Sequence, residues 1–99
     1  MVMVKRTEVF DKWLRKLRDR QAVNRIQVRI DRLATGNTGD INTVGQGVLE
    51  MKINYGPGYR VYFLPQANRI IILLCGGDKT TQANDIAHAL KIARKLKEK

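Results

Sequence analysis

The sequence predicts a small α+β domain in which helices cover a mainly antiparallel sheet. Three patterns predict it: alternating apolar residues at 49–53, a continuous apolar run at 70–74, and apolar residues at helical spacing before and after this central part. We expect the element order β-α-α-β-β-β-α, with the helices packed against one face of the sheet. Residues 1–6, whose apolar stretch is too short for a signal peptide, are expected to form an edge strand.

Two of the expected strands form a hairpin that carries cations. Odd-numbered residues are apolar in the strand at 49–53, and Val61 and Phe63 continue this pattern in the strand that begins at Tyr59. Both apolar faces lie on the same side only if the connection has an odd length, which the Gly-Pro-Gly turn at 56–58 can provide. Lys52 and Arg60 are then expected to project from one exposed face of adjacent strands.

The helices are predicted from apolar residues three and four positions apart. Thr7 is a candidate N-cap for the first helix, and the second should end near Thr35 and Gly36. Residues 36–46 have the composition of a surface loop. The last helix should bury a stripe of five residues: Ile86, Ala89, Leu90, Ala93 and Leu96.

Three arginines share the polar face of the second helix: Arg25, Arg29 and Arg32. Their helical spacing permits two interpretations. They form either a solvated face with no partner or a row of phosphate contacts for RNA, and the sequence does not decide between them.

Composition predicts a single domain over residues 1–99. The chain is 43% hydrophobic, enough for one modest core, and no apolar run approaches the roughly 18 residues of a membrane-spanning helix. Its single cysteine, Cys75, cannot form an internal disulfide and is expected to be structural. We therefore expect a cytoplasmic protein.

The positive charge is unevenly distributed along the sequence. Net charge is +10 for the chain, with +6 in residues 1–35, zero in residues 36–78 and +4 in residues 79–99. The basic segments coincide with the expected helices. An excess of this kind favours polyanions, and ribosomal or messenger RNA is the expected cytoplasmic candidate, although a merely solvated basic surface is the alternative.

Common nuclease groups are missing from the sequence. His88 is the only histidine, so a paired-histidine mechanism within one chain is excluded. The sequence contains neither a cluster of metal-ligand residues nor a phosphate-binding loop motif. We expect no cofactor and no metal.

A cationic site can nevertheless cleave RNA, because RNA supplies its own nucleophile in the 2′-hydroxyl group. The protein then has to fix in-line geometry and neutralise charge on the phosphate. Arg60 suits this role, since its planar guanidinium can bind two phosphate oxygens. Lys52 and Lys79 could add charge or move protons.

Three short segments carry a family resemblance: GPGYRVYF at residues 56–63, GGDK at 76–79 and the pattern QxxDI at 82–86. Together with the flanking helices, they resemble the RelE/ParE superfamily of toxins from type II toxin–antitoxin modules. The closer resemblance is to the addiction-module killer, or HigB-like, branch, and it covers nearly all of the chain. It implies the compact RelE-like fold and a ribosome-dependent endoribonuclease that cleaves messenger RNA and inhibits translation.

The resemblance also implies site residues. Basic residues on two sheet strands and after the last strand carry activity in RelE-like nucleases, and the matching positions are Arg60, Lys52 and Lys79. No tyrosine follows Tyr62, so a C-terminal base-stacking tyrosine found in some members has no counterpart. Stacking would come from Tyr59, Tyr55 or the ribosome, or be absent, and Tyr59 could equally be a packing residue.

Two other functions remain open, because ParE-like relatives on the same fold inhibit DNA gyrase without chemistry of their own. The second of these other functions is that of a non-toxic RNA-binding domain. The resemblance further implies a cognate antitoxin, which should present acidic or apolar surface to this basic protein.

Overall fold

A five-stranded sheet forms the centre of the molecule. The computed structural model describes residues 2–67 and 69–98, so Met1, at the start of the expected edge strand, lies outside the described residues. The elements follow in the order β1 (Met3–Arg6), α1 (Glu8–Lys16), α2 (Arg20–Ala34), β2 (Ile41–Gly45), β3 (Val48–Ile53), β4 (Tyr59–Gln66), β5 (Ile70–Gly77), a 3-10 turn (Lys79–Thr81) and α3 (Gln82–Lys97).

The sheet has the strand order β1-β5-β4-β3-β2. Its pairs are antiparallel except for β1, which runs parallel to β5 as an edge strand. The α+β class and the mainly antiparallel sheet are confirmed. None of the helices in the described ranges is long and apolar enough to cross a membrane.

One strand was missed in the expected order. Residues 36–46 were expected to form a loop, but β2 lies within them and pairs with β3. The two strands are joined by Gln46 and Gly47, whose φ angles are +54° and +82°. Positive φ at both central residues is the geometry of a tight type I′ hairpin turn, and Gln-Gly is a weaker sequence signal for it than Asn-Gly.

The helices lie on both faces of the sheet, where one face was expected. Phe10 of α1 and Ile26 of α2 pack with Val61 and Phe63 on one face. On the other face, α3 places two alanines, Ala89 and Ala93, over the even-numbered residues of β4. The physical reason is that β4 and β5 are apolar on both sides, and a sheet buried on both sides needs two layers of cover.

Thr7 and Gly36 mark helix ends as predicted, whereas the N-cap of α2 was not predicted. Thr7 caps α1 by accepting a hydrogen bond from the Phe10 amide at 3.1 Å. Asp19 caps α2 through the amides of Gln21 and Ala22. Gly36, with φ of +95°, follows the end of α2, where glycine relieves the strain of the left-handed conformation.

Candidate functional site

The register of three adjacent strands brings Lys52 and Arg60 side by side. Lys52 on β3 lies opposite Arg60 on β4, and Arg60 lies opposite Gly77 on β5. Paired residues project from the same face of a sheet. The prediction that the two cations share a face is confirmed, and this face is the one that α3 covers.

Lys79 approaches Arg60 across the turn between β3 and β4. A methyl group on Gly58 would lie 3.7 Å from Arg60 Nη1 and 3.7 Å from Lys79 Cβ. The head of one cation and the stem of the other therefore flank the same glycine. Lys79 itself is exposed in the 3-10 turn, where Asp78 provides the cap.

Arg60 is not the exposed residue that the alternating pattern suggested. Its side chain is only 11% exposed, and its Nε lies 3.5 Å from Oε2 of Glu50, whose side chain is 2% exposed. Arg60 Nη1 also donates a hydrogen bond to the carbonyl of Gly58 at 3.1 Å. The reason for the difference is that α3 extends over this part of the sheet and reduces the exposure of the strand residues beneath it.

Glu50 is the centre of a buried polar network. Its Oε2 accepts a hydrogen bond from the Tyr62 hydroxyl at 2.9 Å and from Gln82 Nε2 at 2.8 Å. Two hydrogen-bond donors, one from β4 and one from α3, thus share this carboxylate oxygen with the Arg60 ion pair. Burial, followed by the hydrogen bond to Glu50, raises the pKa of Tyr62, so this phenol remains a donor at physiological pH.

Lys52 is partly exposed on β3. When the Asn42 amide is oriented with its oxygen toward Lys52, Nζ donates to that oxygen at 3.1 Å. The Lys52 carbonyl accepts from Arg29 Nη1 at 2.5 Å. Its backbone is thereby tied to α2, while its Nζ reaches Asn42 on β2, the strand on the other side of β3 from Arg60.

Tyr59 lies on the opposite face from Arg60. It pairs with Ile53 and packs edge-on against Trp13, with ring centroids 6.3 Å apart. Partial burial raises the pKa of its phenol. The structure does not bring Tyr59 together with the three cations.

The three arginines of α2 line one groove of about 280 Å³, next to Ile53 and Asn54 at the end of β3. Arg29 is committed to internal contacts, since it donates to the carbonyls of Lys52 and Thr38. The Arg25 guanidinium lies 4.7 Å from the centre of the Tyr55 ring, a cation–π contact. Arg32 is exposed.

Other reactive groups lie away from the cations or are buried. His88 is exposed on α3, and burial raises the pKa of Cys75 to about 12. Within residues 2–67 and 69–98, no group of three or more His, Cys, Asp or Glu side chains could hold a metal ion.

Sequence reasoning missed Glu50 and Gln82. Glu50 had a usable signal, because alternation places it on the same strand face as Lys52 and opposite Tyr62. No sequence signal indicated a role for Gln82 near Arg60, because its contact with Glu50 depends on where α3 crosses the sheet. Both residues belong to the surroundings of Arg60.

Comparison with known proteins gives sequence matches over most of the chain. Residues 12–98 match the family model described as phage derived protein Gp49-like (DUF891). A protein of Haemophilus influenzae, described as uncharacterized, is 47% identical over 95 residues, which cover 96% of each chain. The chain therefore belongs to the phage-derived Gp49-like family (DUF891), a toxin-like family of toxin–antitoxin systems.

Proposed function

We propose that this protein is the toxin of a type II toxin–antitoxin module and cleaves messenger RNA on the ribosome in the cytoplasm. Within the toxin-like family, we assign it to the HigB-like branch of the RelE/ParE superfamily, which its motifs resemble. The proposal is supported by the pairing of Lys52 with Arg60 in the sheet and by the position of Gly58, next to both Arg60 Nη1 and Lys79 Cβ.

The chemistry is a transesterification that needs no metal. The 2′-oxygen of a ribose attacks the adjacent phosphorus as its proton leaves, and the bond from phosphorus to the 5′-oxygen breaks. The leaving oxygen takes up a proton, which gives a 2′,3′-cyclic phosphate and a 5′-hydroxyl end. The protein assists by orienting the phosphate and by stabilising its developing negative charge.

Arg60 is the main phosphate ligand in this proposal. Its Nε edge faces Glu50 and one Nη1 proton is used by Gly58. In the proposal, the remaining Nη1 and Nη2 protons bind two phosphate oxygens together. Lys79, exposed on the other side of Gly58, supplies a second cation, and Lys52 supplies a third from β3.

The RNA is proposed to extend past the end of β3 toward α2. Arg25 and Arg32 would contact its phosphates, while Arg29 holds the Lys52 backbone and adds charge from within the groove. Tyr59, which lies near Trp13 on the same side as α2, would be the aromatic contact. The groove and the three-cation site adjoin the same strand, so one strand of RNA could reach both.

Partners follow from this activity. The ribosome would position the messenger RNA, and a cognate antitoxin would neutralise the toxin. Acidic surface on that antitoxin would complement the basic helices of this protein.

The test is primer extension on a defined messenger RNA incubated with the protein, with and without translating ribosomes. Lys79→Gln is the matched variant, because Lys79 is exposed and its loss leaves the buried network intact. Cuts that appear only with translating ribosomes and weaken in Lys79→Gln would support the proposal. The control is Lys12→Gln, which removes one exposed positive charge from α1. This variant should cleave RNA normally.

Two outcomes would redirect the assignment. No cleavage in any reaction, combined with inhibited DNA supercoiling, would favour a ParE-like gyrase inhibitor. Tight RNA binding without cleavage or growth arrest would favour an accessory RNA-binding domain.

A further inference from the structure

The buried carboxylate of Glu50 has no role in the chemistry described above. At 2% exposed, it lies beneath Gln82 and cannot touch RNA. Burial of a charged group is costly unless partners compensate it. A buried carboxylate at this position therefore needs a reason other than packing.

We propose that Glu50 is a positioning residue that sets the orientation of the Arg60 guanidinium for phosphate binding. This inference rests on the proposed nuclease function. Arg60 faces the carboxylate through Nε and donates from Nη1 to the Gly58 carbonyl, so the protein holds its guanidinium at two positions. A guanidinium fixed on two edges presents its remaining donors in one direction.

The network around Glu50 explains why the carboxylate itself stays in place. Tyr62 and Gln82 both donate to Oε2, the atom that also faces Arg60 Nε. Oε2 is therefore anchored from β4 and from α3 at once. Arg60 Nε is fully buried and has no hydrogen-bond partner within the described residues, so the 3.5 Å ion pair with Glu50 is its main compensation.

The geometry assigns Glu50 an indirect role rather than a catalytic one. A general base must come within hydrogen-bond distance of the 2′-hydroxyl. Glu50 is covered, and its Oε2 is committed to two hydrogen bonds and the ion pair with Arg60. Its effect on the reaction must therefore pass through Arg60.

Glu50→Gln is the informative variant, since it keeps the shape of the side chain and removes its charge. We expect kcat to fall by about 10- to 100-fold, the cost of a misplaced reacting group, with KM changing little. In an Arg60→Lys background, the same substitution should cost much less, because the guanidinium that Glu50 orients is already absent. An unchanged kcat, or equal losses in the two backgrounds, would overturn the inference.

Tyr62→Phe is the matched structural control. It removes another donor to the same carboxylate oxygen and leaves the Arg60 ion pair in place. We expect a lower melting temperature with kcat within about threefold of the wild type. If Tyr62→Phe and Glu50→Gln lose kcat in proportion to lost melting temperature, the role of Glu50 is structural only.

A second readout separates this inference from the nuclease proposal. The Nε–H of Arg60 can be followed by nitrogen-15 NMR, with Arg60→Lys identifying its resonance. Glu50→Gln should shift that resonance and speed its exchange with water, whether or not the wild type cleaves RNA. An Nε–H that is equally protected in the variant would refute the positioning role even if cleavage were lost.

Discussion

Arg60 combines a structural contact with its proposed phosphate contact. A buried ion pair adds little net stability, because desolvation offsets the attraction, but removing one partner leaves the other charge uncompensated. Glu50, at 2% exposed, would be the uncompensated partner. If an Arg60 variant loses activity, its free energy of unfolding must therefore be measured as well.

Arg60→Ala is predicted to lower the free energy of unfolding by about 1–3 kcal/mol, the usual cost of leaving a buried polar group without its partner. The sequence pattern alone suggested normal stability, since it placed Arg60 on an exposed face. Urea unfolding followed by circular dichroism measures the difference. Lys5→Ala, which removes an exposed cation from the edge strand, should change stability by less than about 0.5 kcal/mol. Equal stability of Arg60→Ala and wild type would contradict the buried ion pair.

At the scale of elements, Asp19 links the start of α2 to the loop after β3. It accepts hydrogen bonds from the Gln21 and Ala22 amides and, through Oδ2, from the Tyr55 hydroxyl at 2.9 Å. The Tyr55 hydrogen bond is the main reason that the pKa of Asp19 lies below its ordinary value of 3.8. The ionised form is therefore the one that stabilises the folded protein.

The pH dependence of stability follows from the lowered pKa of Asp19. Because the unfolded chain binds this proton more readily, the contribution of Asp19 is present above pH 3.8 and is lost as the pH falls through the lower folded pKa. We expect Tyr55→Phe to lose less stability than the wild type between pH 5 and pH 3, since it lacks the hydroxyl that depresses the pKa. Urea unfolding at several pH values tests this, and parallel curves for the two proteins would exclude the link.

Gly77 determines how closely α3 approaches the sheet. A methyl group at this position would lie 1.7 Å from Oδ2 of Asp85 and 2.9 Å from the Thr81 hydroxyl. Gly77→Ala is expected to displace the start of α3, at a cost of about 1–3 kcal/mol for overpacking. Gln82, at that start, would move away from Glu50, so activity should fall as well.

A double-mutant cycle makes the Gly77 prediction specific. Asp85→Ala opens the space that the new methyl group needs, so the two substitutions together should cost less than the sum of the single changes. Thermal unfolding of the four proteins gives the coupling. Additive costs would show that Asp85 is not the obstacle.

The elements that sequence predicted well are those with local signals. Helical spacing and the Thr7 cap located α1, and the odd-length connection correctly placed Lys52 and Arg60 on one face of the hairpin. The hairpin turn at Gln46 and Gly47 has an uncommon sequence, which is why β2 was missed. The burial of Arg60 depends on the path of α3 over the sheet, a long-range property that no pattern within one strand encodes.

At the scale of the whole molecule, the helices in the basic segments lie on the two faces of the sheet. Residues 36–78, which contain β2 to β5, have no net charge. The part of the chain with α1 and α2 carries +6 and the part with α3 carries +4. The proposed site lies on the face that α3 covers, where the start of β4 approaches the 3-10 turn. RNA bound there would be attracted from both sides by the general field, while only cations at the site would contact it directly.

Salt dependence can separate the general field from direct contacts. Each phosphate neutralised on a single strand contributes about −0.7 to the slope of log binding constant against log salt concentration. Lys79→Ala should therefore flatten the slope by about 0.7, whereas Lys12→Ala, an equal loss of charge on exposed α1, should lower affinity slightly and leave the slope unchanged. A fully 2′-O-methylated RNA is the suitable ligand, because it has no nucleophile and cannot be cleaved during the titration. If both variants flatten the slope equally, binding reflects the charge of the whole molecule and Lys79 has no privileged phosphate contact.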